Sequence, residues 1–217
     1  MRAVFQHELS TVQERLVEIS ARVLDAIRDA TTAFNAADIG LADSVISGDL
    51  TIDELAIELD ELSIEILTRQ GPMARDFRVV VSALRMSAIL ERMGDLARHI
   101  AQLARRRYPE RVATAELRDV FIEMAAQDIR IAELLNRLLI TQDVELAHEL
   151  IRQDDVVDGL HRRVFDELLG PVWSGRAEDI VDLTLASRYF ERFGDQAVGA
   201  AKKMLYLATG EWIPAEA

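Results

Sequence analysis

Four pairs of acidic residues, each spaced four apart, carry the clearest chemical meaning in this sequence: Asp49/Asp53, Glu91/Asp95, Asp154/Asp158 and Glu191/Asp195. On a helix, residues four apart share a face and stand about 6 Å apart along the axis, so each pair aims two carboxylates in one direction. Like charges at that spacing repel by roughly 0.2–0.5 kcal/mol, so helix stability does not account for them. Asp49 falls between Val45 and Ile52 in an apolar stripe, and Asp154 falls between Leu150 and Val157 in the same way. A carboxylate facing a core must either take up a proton or find a cation. Where an Asp-x-x-x-Asp pair on one helix faces a Glu-x-x-x-Asp pair on an antiparallel neighbour, four carboxylates converge. Such a donor set suits hard divalent or trivalent ions, Mg, Mn, Ca or Fe, with Zn admissible through oxygen. Bridging carboxylates allow more than one ion.

The neighbours of these pairs sharpen the expectation. Gly94 and Gly194 each sit in the turn between the two acids of their motif. A helical glycine costs about 1 kcal/mol relative to alanine, and here it leaves room for an ion or a facing helix. Arg92 and Arg192 read as surface arginines beside the acids, with charge balance around those acids as the alternative. His99, four after Asp95, and His161, three after Asp158, are candidate nitrogen ligands, with an exposed polar role as the alternative. Glu145-Leu146-Ala147-His148 has the Glu-x-x-His form of di-iron carboxylate bundles, but it occurs once where that site requires it twice. Asp60, Glu61 and Glu65 read as solvated acids. The chain has no cysteine, which excludes disulfides, thiolate zinc sites and a cysteine nucleophile. It also has no phosphate-binding glycine loop and no Gly-x-Ser-x-Gly elbow.

The elements that must position these residues are long helices. Phe5, Leu9, Val12, Leu16, Ile19, Val23, Ile27, Ala30 and Phe34 step by three or four, which predicts one continuous helix. A second stripe runs through Ile52, Leu55, Leu59, Leu62 and Ile66 to Gln70-Gly71-Pro72, where Gly ends one helix and Pro is expected to open the next. The third is predicted through Met86, Leu90, Met93, Leu96, Ile100 and Leu103 to Arg105-Arg106-Arg107, cations that suit a helix C-terminus. After Tyr108-Pro109 the layout recurs: Leu117 to Leu138, Leu146 to Leu169, and Ile180 to Leu207, with Gly170-Pro171 and Thr209-Gly210 as breaks. Trp173 and Trp212, near helix ends, are assigned to packing. Helices this far above the ~11-residue average favour a bundle.

The two halves also match in sequence. Asp38-Ile39-Gly40-Leu41-Ala42 corresponds to Asp143-Val144-Glu145-Leu146-Ala147 at an offset of 105, which also places Asp49 and Asp53 on Asp154 and Asp158. Leu90-Glu91-Arg92-Met93-Gly94-Asp95 corresponds to Phe190-Glu191-Arg192-Phe193-Gly194-Asp195 at an offset of 100. The difference of five predicts a shorter second-to-third-helix loop in the latter half. The expected fold is all-α, two antiparallel three-helix bundles spanning 1–107 and 108–217.

Composition limits the function. Lys and Arg total 25 against 38 Asp and Glu, a formal charge of −13, which argues against nucleic acid and anionic membrane surfaces as partners. No apolar run reaches the ~20 residues of a membrane span, and the first ten residues carry His7 and Glu8 where a signal peptide is apolar, so a cytoplasmic location without membrane insertion is expected.

The doubled Glu-Arg-Φ-Gly-Asp motif, together with Gln70-Gly71-Pro72-Met73-Ala74-Arg75-Asp76-Phe77-Arg78 and the opening Phe5-Gln6-His7-Glu8-Leu9, resembles the PhoU family over essentially the whole chain. The resemblance implies paired three-helix bundles with multinuclear metal clusters on the Asp/Glu-x-x-x-Asp motifs: Glu91, Asp95, Glu191 and Asp195 first, then Asp49, Asp53, Asp154 and Asp158. It implies a homodimeric, non-enzymatic negative regulator of phosphate uptake and starvation signalling. Its partners would be subunits of the phosphate ABC transporter and a membrane sensor histidine kinase. Where the family's second helix often carries Glu, this chain has Ala56, with Arg162 near the corresponding place in the second half. A carboxylate-bridged oxidase or hydrolase, or a metal-free helical adaptor, are the competing readings.

Overall fold

A computed structural model describes residues 2–171 and 173–211, so Trp212 lies outside the described residues. Six helices carry the chain: α1 (Arg2–Ala36), α2 (Ile39–Gln70), α3 (Arg75–Arg107), α4 (Arg118–Thr141), α5 (Val144–Leu168) and α6 (Ala177–Thr209). The described residues contain no strand. The sequence repeat at 38–42 and 143–147 is a pair of helix starts. Asp38 accepts from the Leu41 N–H and Asp143 from the Glu145 N–H, each satisfying a donor left over in the first turn. At the other end of α2, Gly71 adopts the left-handed conformation that closes a helix.

Two boundaries differ from the expectation. Pro72 does not open α3; Gly71 and Ala74 both have positive φ, so the chain turns twice before α3 begins at Arg75. The five residues missing from the second half are lost from a helix and not from a loop. α5 has 25 residues against 32 in α2, while the 169–176 connection is longer than 71–74.

Helices α1, α2 and α3 pack on one another, as do α4, α5 and α6. The two groups join through α1 against α4 and α3 against α6, leaving α2 and α5 on the outside. The buried side chains form one continuous core. At the seam, Phe34, Phe121 and Phe190, each fully buried, stack with ring centroids 5.2–5.9 Å apart.

The α3/α6 contact is antiparallel and obeys an approximate two-fold axis. His99 stacks on Tyr189 at 5.1 Å, and at the symmetry-related place Ile89 lies beside Gly199. Near the α3 C-terminus Arg106 pairs with Asp182 and Arg107 with Asp179, so two members of the basic cluster bind the start of α6 as well as offsetting their own helix end. Gly94 and Gly194 lie level on this axis, which sets the two acid motifs back to back with α3 and α6 between them.

Candidate carboxylate sites

In each unit the acid-bearing faces of the second and third helices meet at the glycine of the third-helix motif. A methyl group added at Gly94 would lie 3.1 Å from Asp49 Oδ1, and one at Gly194 would overlap Asp154 Oδ1. Each missing side chain therefore admits the aspartate of the facing helix. The space beside Gly194 is bounded on its other side by Ile131 of α4.

In the first unit the acids are already held by cations. Arg98 Nε lies 2.5 Å from Asp49 Oδ2, and the same guanidinium pairs with Asp95. Arg92 adds a second contact to Asp95 at 2.8 Å, so the arginine expected at the surface takes part in the cluster. Burial, opposed by Arg98 and reinforced by Asp53, Asp95 and Glu91, pushes the Asp49 carboxyl up to about 6. Burial also raises Glu91, with help from Asp95 and Asp53. At Asp95 burial pushes upward too, but the hydrogen bonds from Arg98 and Arg92 outweigh it and the carboxyl ends below its ordinary value. Ala56 opens a cleft of about 340 Å³ lined by Asp53, Asp60, Ser87 and Glu91, and Ser87 donates to the Ala56 carbonyl at 3.1 Å.

The second unit has no equivalent of Arg98. In the repeat register that position is Val198, which packs against the core. Asp154 Oδ1 and Glu191 Oε2 are buried without a hydrogen-bond partner, as is Asp49 Oδ1 in the first unit, but Asp154 lacks the ion pair that Asp49 has. Burial and the charges of Asp158, Asp195, Asp155 and Glu191 push Asp154 up to about 7. Burial and Asp195 raise Glu191 against the pull of Arg188, which reaches it at 2.5 Å from a half-exposed position. Asp195, at the solvent edge, is raised by burial and Asp158 while Arg188 and Arg192 oppose.

Of the histidines, His99 faces Tyr189 across α3/α6. His161 holds Ser187 Oγ at 2.6 Å through Nδ1, so that nitrogen is committed to the α5/α6 contact. Glu145 and His148 are exposed. Trp173 packs against the core.

Two residues that matter were not singled out from sequence. Arg98 stands three after Asp95 and seven after Glu91, on the same helix face, and its absence from the second motif was a readable signal. Asp128 fills the gap between Met124 and Ile131 in the α4 stripe, in the register of Val23 in α1. It is completely buried, and both its oxygens lack partners.

The second-unit donor set fits a hard cation: all oxygen, partly desolvated, with orphaned atoms on Asp154 and Glu191 and, in Arg188, a counter-charge that pairs with Glu191 and not with Asp154. Among the described residues no three acidic or histidine side chains are gathered into a formed ion site, so binding would require side-chain rotation.

Fold and site together define a two-unit helical protein with paired, mostly half-buried carboxylates and no nucleophile or acid–base constellation among the motifs found. The PhoU domain model matches residues 16–104 and again 121–204. The chain belongs to the PhoU family. It is 37% identical over 210 residues to the phosphate-specific transport system accessory protein PhoU homolog 2 of Mycobacterium tuberculosis, covering 97% of this chain and 99% of that one. It is 35% identical to PhoU homolog 1 of Mycobacterium leprae, covering 98% and 96%. The crystal structure of PhoU from Pseudomonas aeruginosa superposes with a TM-score of 0.86 at 26% identity, over 95% of this chain and all of that one. A phosphate transport system regulatory protein PhoU from Streptococcus pneumoniae shares the fold, with a TM-score of 0.87 at 20% identity over 97% of this chain and all of that one. No helix among the described residues is long and apolar enough to cross a membrane.

Proposed function

We propose that this chain is a non-enzymatic accessory regulator of phosphate uptake and phosphate-starvation signalling. It would act in the cytoplasm, as a homodimer, on subunits of the phosphate ABC transporter and on a sensor histidine kinase. The observation that carries this reading is kinship along nearly the whole chain with proteins named as accessory to phosphate-specific transport. The outer face of α2 supports a partner-binding role. Leu50, Ile57 and Ile64 recur every seven residues and are each more than half exposed, whereas the α5 register carries Asp155, Arg162 and Leu169.

The reading includes a hard cation held by Asp154, Asp158, Glu191 and Asp195. When bound, such an ion would offset the mutual repulsion of these acids and tie α5 to α6. The first unit fits an ion less well, because Arg98 already neutralises Asp49 and Asp95.

Deleting the gene should derepress phosphate-starvation genes under phosphate-replete growth, and the purified protein should retain transporter subunits in a pull-down. Unchanged repression together with no retention would refute the regulatory role. For the cation, the double variant Asp154→Asn/Asp195→Asn should lose more than half of the metal measured by elemental analysis of untagged protein.

A further inference from the structure

We infer that Asp128 of α4 is a fifth carboxylate of the second-unit cation site, drawing a third helix into it. This rests on the cation reading of that site and assigns it a ligand outside the repeated motif. Three observations converge. Asp128 occupies the register of Val23, a core residue of α1, so its carboxyl is not needed to build a helix of this kind. It is 0% exposed with both oxygens unpartnered, an arrangement that is destabilising and persists in folded proteins where something else compensates. It also lies where the site is. Ile131, one turn further along the same α4 face, lines the space beside Gly194 that Asp154 Oδ1 enters, and Asp154 is the charge that bears on Asp128.

The first unit provides the contrast. There the α1 position in the register of Asp128 is the core residue Val23, and Asp49 draws its counter-charge from Arg98. In the second unit the arginine is replaced by Val198 and the valine by Asp128. The two differences act together: the cation beside the second-helix aspartate is gone, Arg188 serving Glu191 instead, and a buried carboxyl is added next to it. A hard ion is the species that answers both, since it accepts oxygens from several directions and stays compact enough for a core.

The test uses the full chain stripped with chelator and titrated with Mn²⁺ alone, and separately with Zn²⁺, by calorimetry, with melting followed by circular dichroism. Asp128→Val, which copies the first unit, and Asp128→Asn, which keeps the volume, are compared with the parent protein. The stripped variants are expected to melt at or above the parent temperature, because an unpartnered buried acid is gone. Their ion affinity should fall at least about tenfold, the size of effect seen when a supporting group of a metal site is removed. Parent protein that binds an ion while both variants bind it equally well would overturn the role of Asp128 and leave the motif site standing. Parent protein that binds neither ion would overturn the cation reading itself, and this inference with it.

Discussion

The two acid clusters are built on the same backbone and solve the same electrostatic problem differently. In the first, the carboxylates of Asp49 and Asp95 close on Arg98, a cation encoded in the chain. In the second, Arg188 pairs with Glu191, Asp154 has no ion pair among the described residues, and Asp128 adds another buried acid from α4. Buried charges are tolerated only when paired, and a sequence can supply the partner covalently or leave it to be recruited. The difference lies three positions beyond the motif, where Arg98 in one unit and Val198 in the other decide whether the second-helix aspartate has a cation of the chain beside it.

The exchange of that residue is the strongest way to break the contrast. Arg98→Val removes the cation that bridges Asp49 and Asp95 and leaves Asp49 buried without its ion pair, while Arg92 stays on Asp95. We expect a loss of about 2 kcal/mol in chelator, below the 3–5 kcal/mol typical of a fully buried pair because Arg98 is part exposed. Added Mn²⁺ should restore that loss and raise the bound ion count by one site. The reciprocal Val198→Arg should remove ion uptake from the second cluster. If Arg98→Val folds and takes up no additional ion, the arginine is not standing in for a metal.

The glycines offer a second contrast. Alanine in a helix is favoured over glycine by about 1 kcal/mol. At Gly94 the added methyl meets Asp49 Oδ1 and Ile52 at 3.1 Å, so the helix gain and the crowding should nearly cancel. At Gly194 the methyl would displace the Asp154 carboxyl. We expect Gly194→Ala to weaken ion binding about tenfold or more while Gly94→Ala leaves it unchanged, with titration calorimetry as the readout. Equal effects at the two glycines would erase the distinction between the clusters.

Much of this was legible in the sequence. Stripes at three-to-four spacing gave six helices, and the offsets of 105 and 100 paired Asp49 with Asp154 and Glu91 with Glu191, because periodicity and duplication leave a trace along the chain. What was missed depended on neighbours remote in sequence. The charge of Asp154 bears on Asp128 only through the packing of α4 on α5, and His161 is turned to Ser187 by a contact between helices. The α3 start was misplaced because Pro72 fits a first helical turn in isolation, while the positive φ at Ala74 belongs to a loop whose conformation the sequence does not announce.

Acidity separates the clusters by degree. Asp154 is raised from 3.8 to about 7 and Asp49 from 3.8 to about 6, in both cases first by burial. A carboxyl whose folded pKa lies above its unfolded value contributes stability below the unfolded value and loses it as pH rises through the folded one. In chelator, the melting temperature should therefore fall between about pH 4 and pH 7, and Asp154→Asn should flatten the upper part of that fall more than Asp49→Asn does. Added Mn²⁺ should reverse the loss in the parent protein at pH 7. A melting profile that rises over this interval in chelator and is unaffected by Asp154→Asn would show that other groups dominate.

The smallest expected effect tests which arginine matters in the first cluster. Arg92 and Arg98 both reach Asp95, but only Arg98 also reaches Asp49, and Arg92 is the more exposed of the two. Exposed ion pairs are worth roughly 0–1 kcal/mol, since water screens the charges and the long side chain loses freedom. Arg92→Ala should therefore cost about 0.5 kcal/mol or less by denaturant melts and should admit no ion, because Arg98 still neutralises both aspartates. A loss as large as that of Arg98→Val would mean that the cluster is held by two arginines acting as a unit, and that neither one alone accounts for its difference from the second unit.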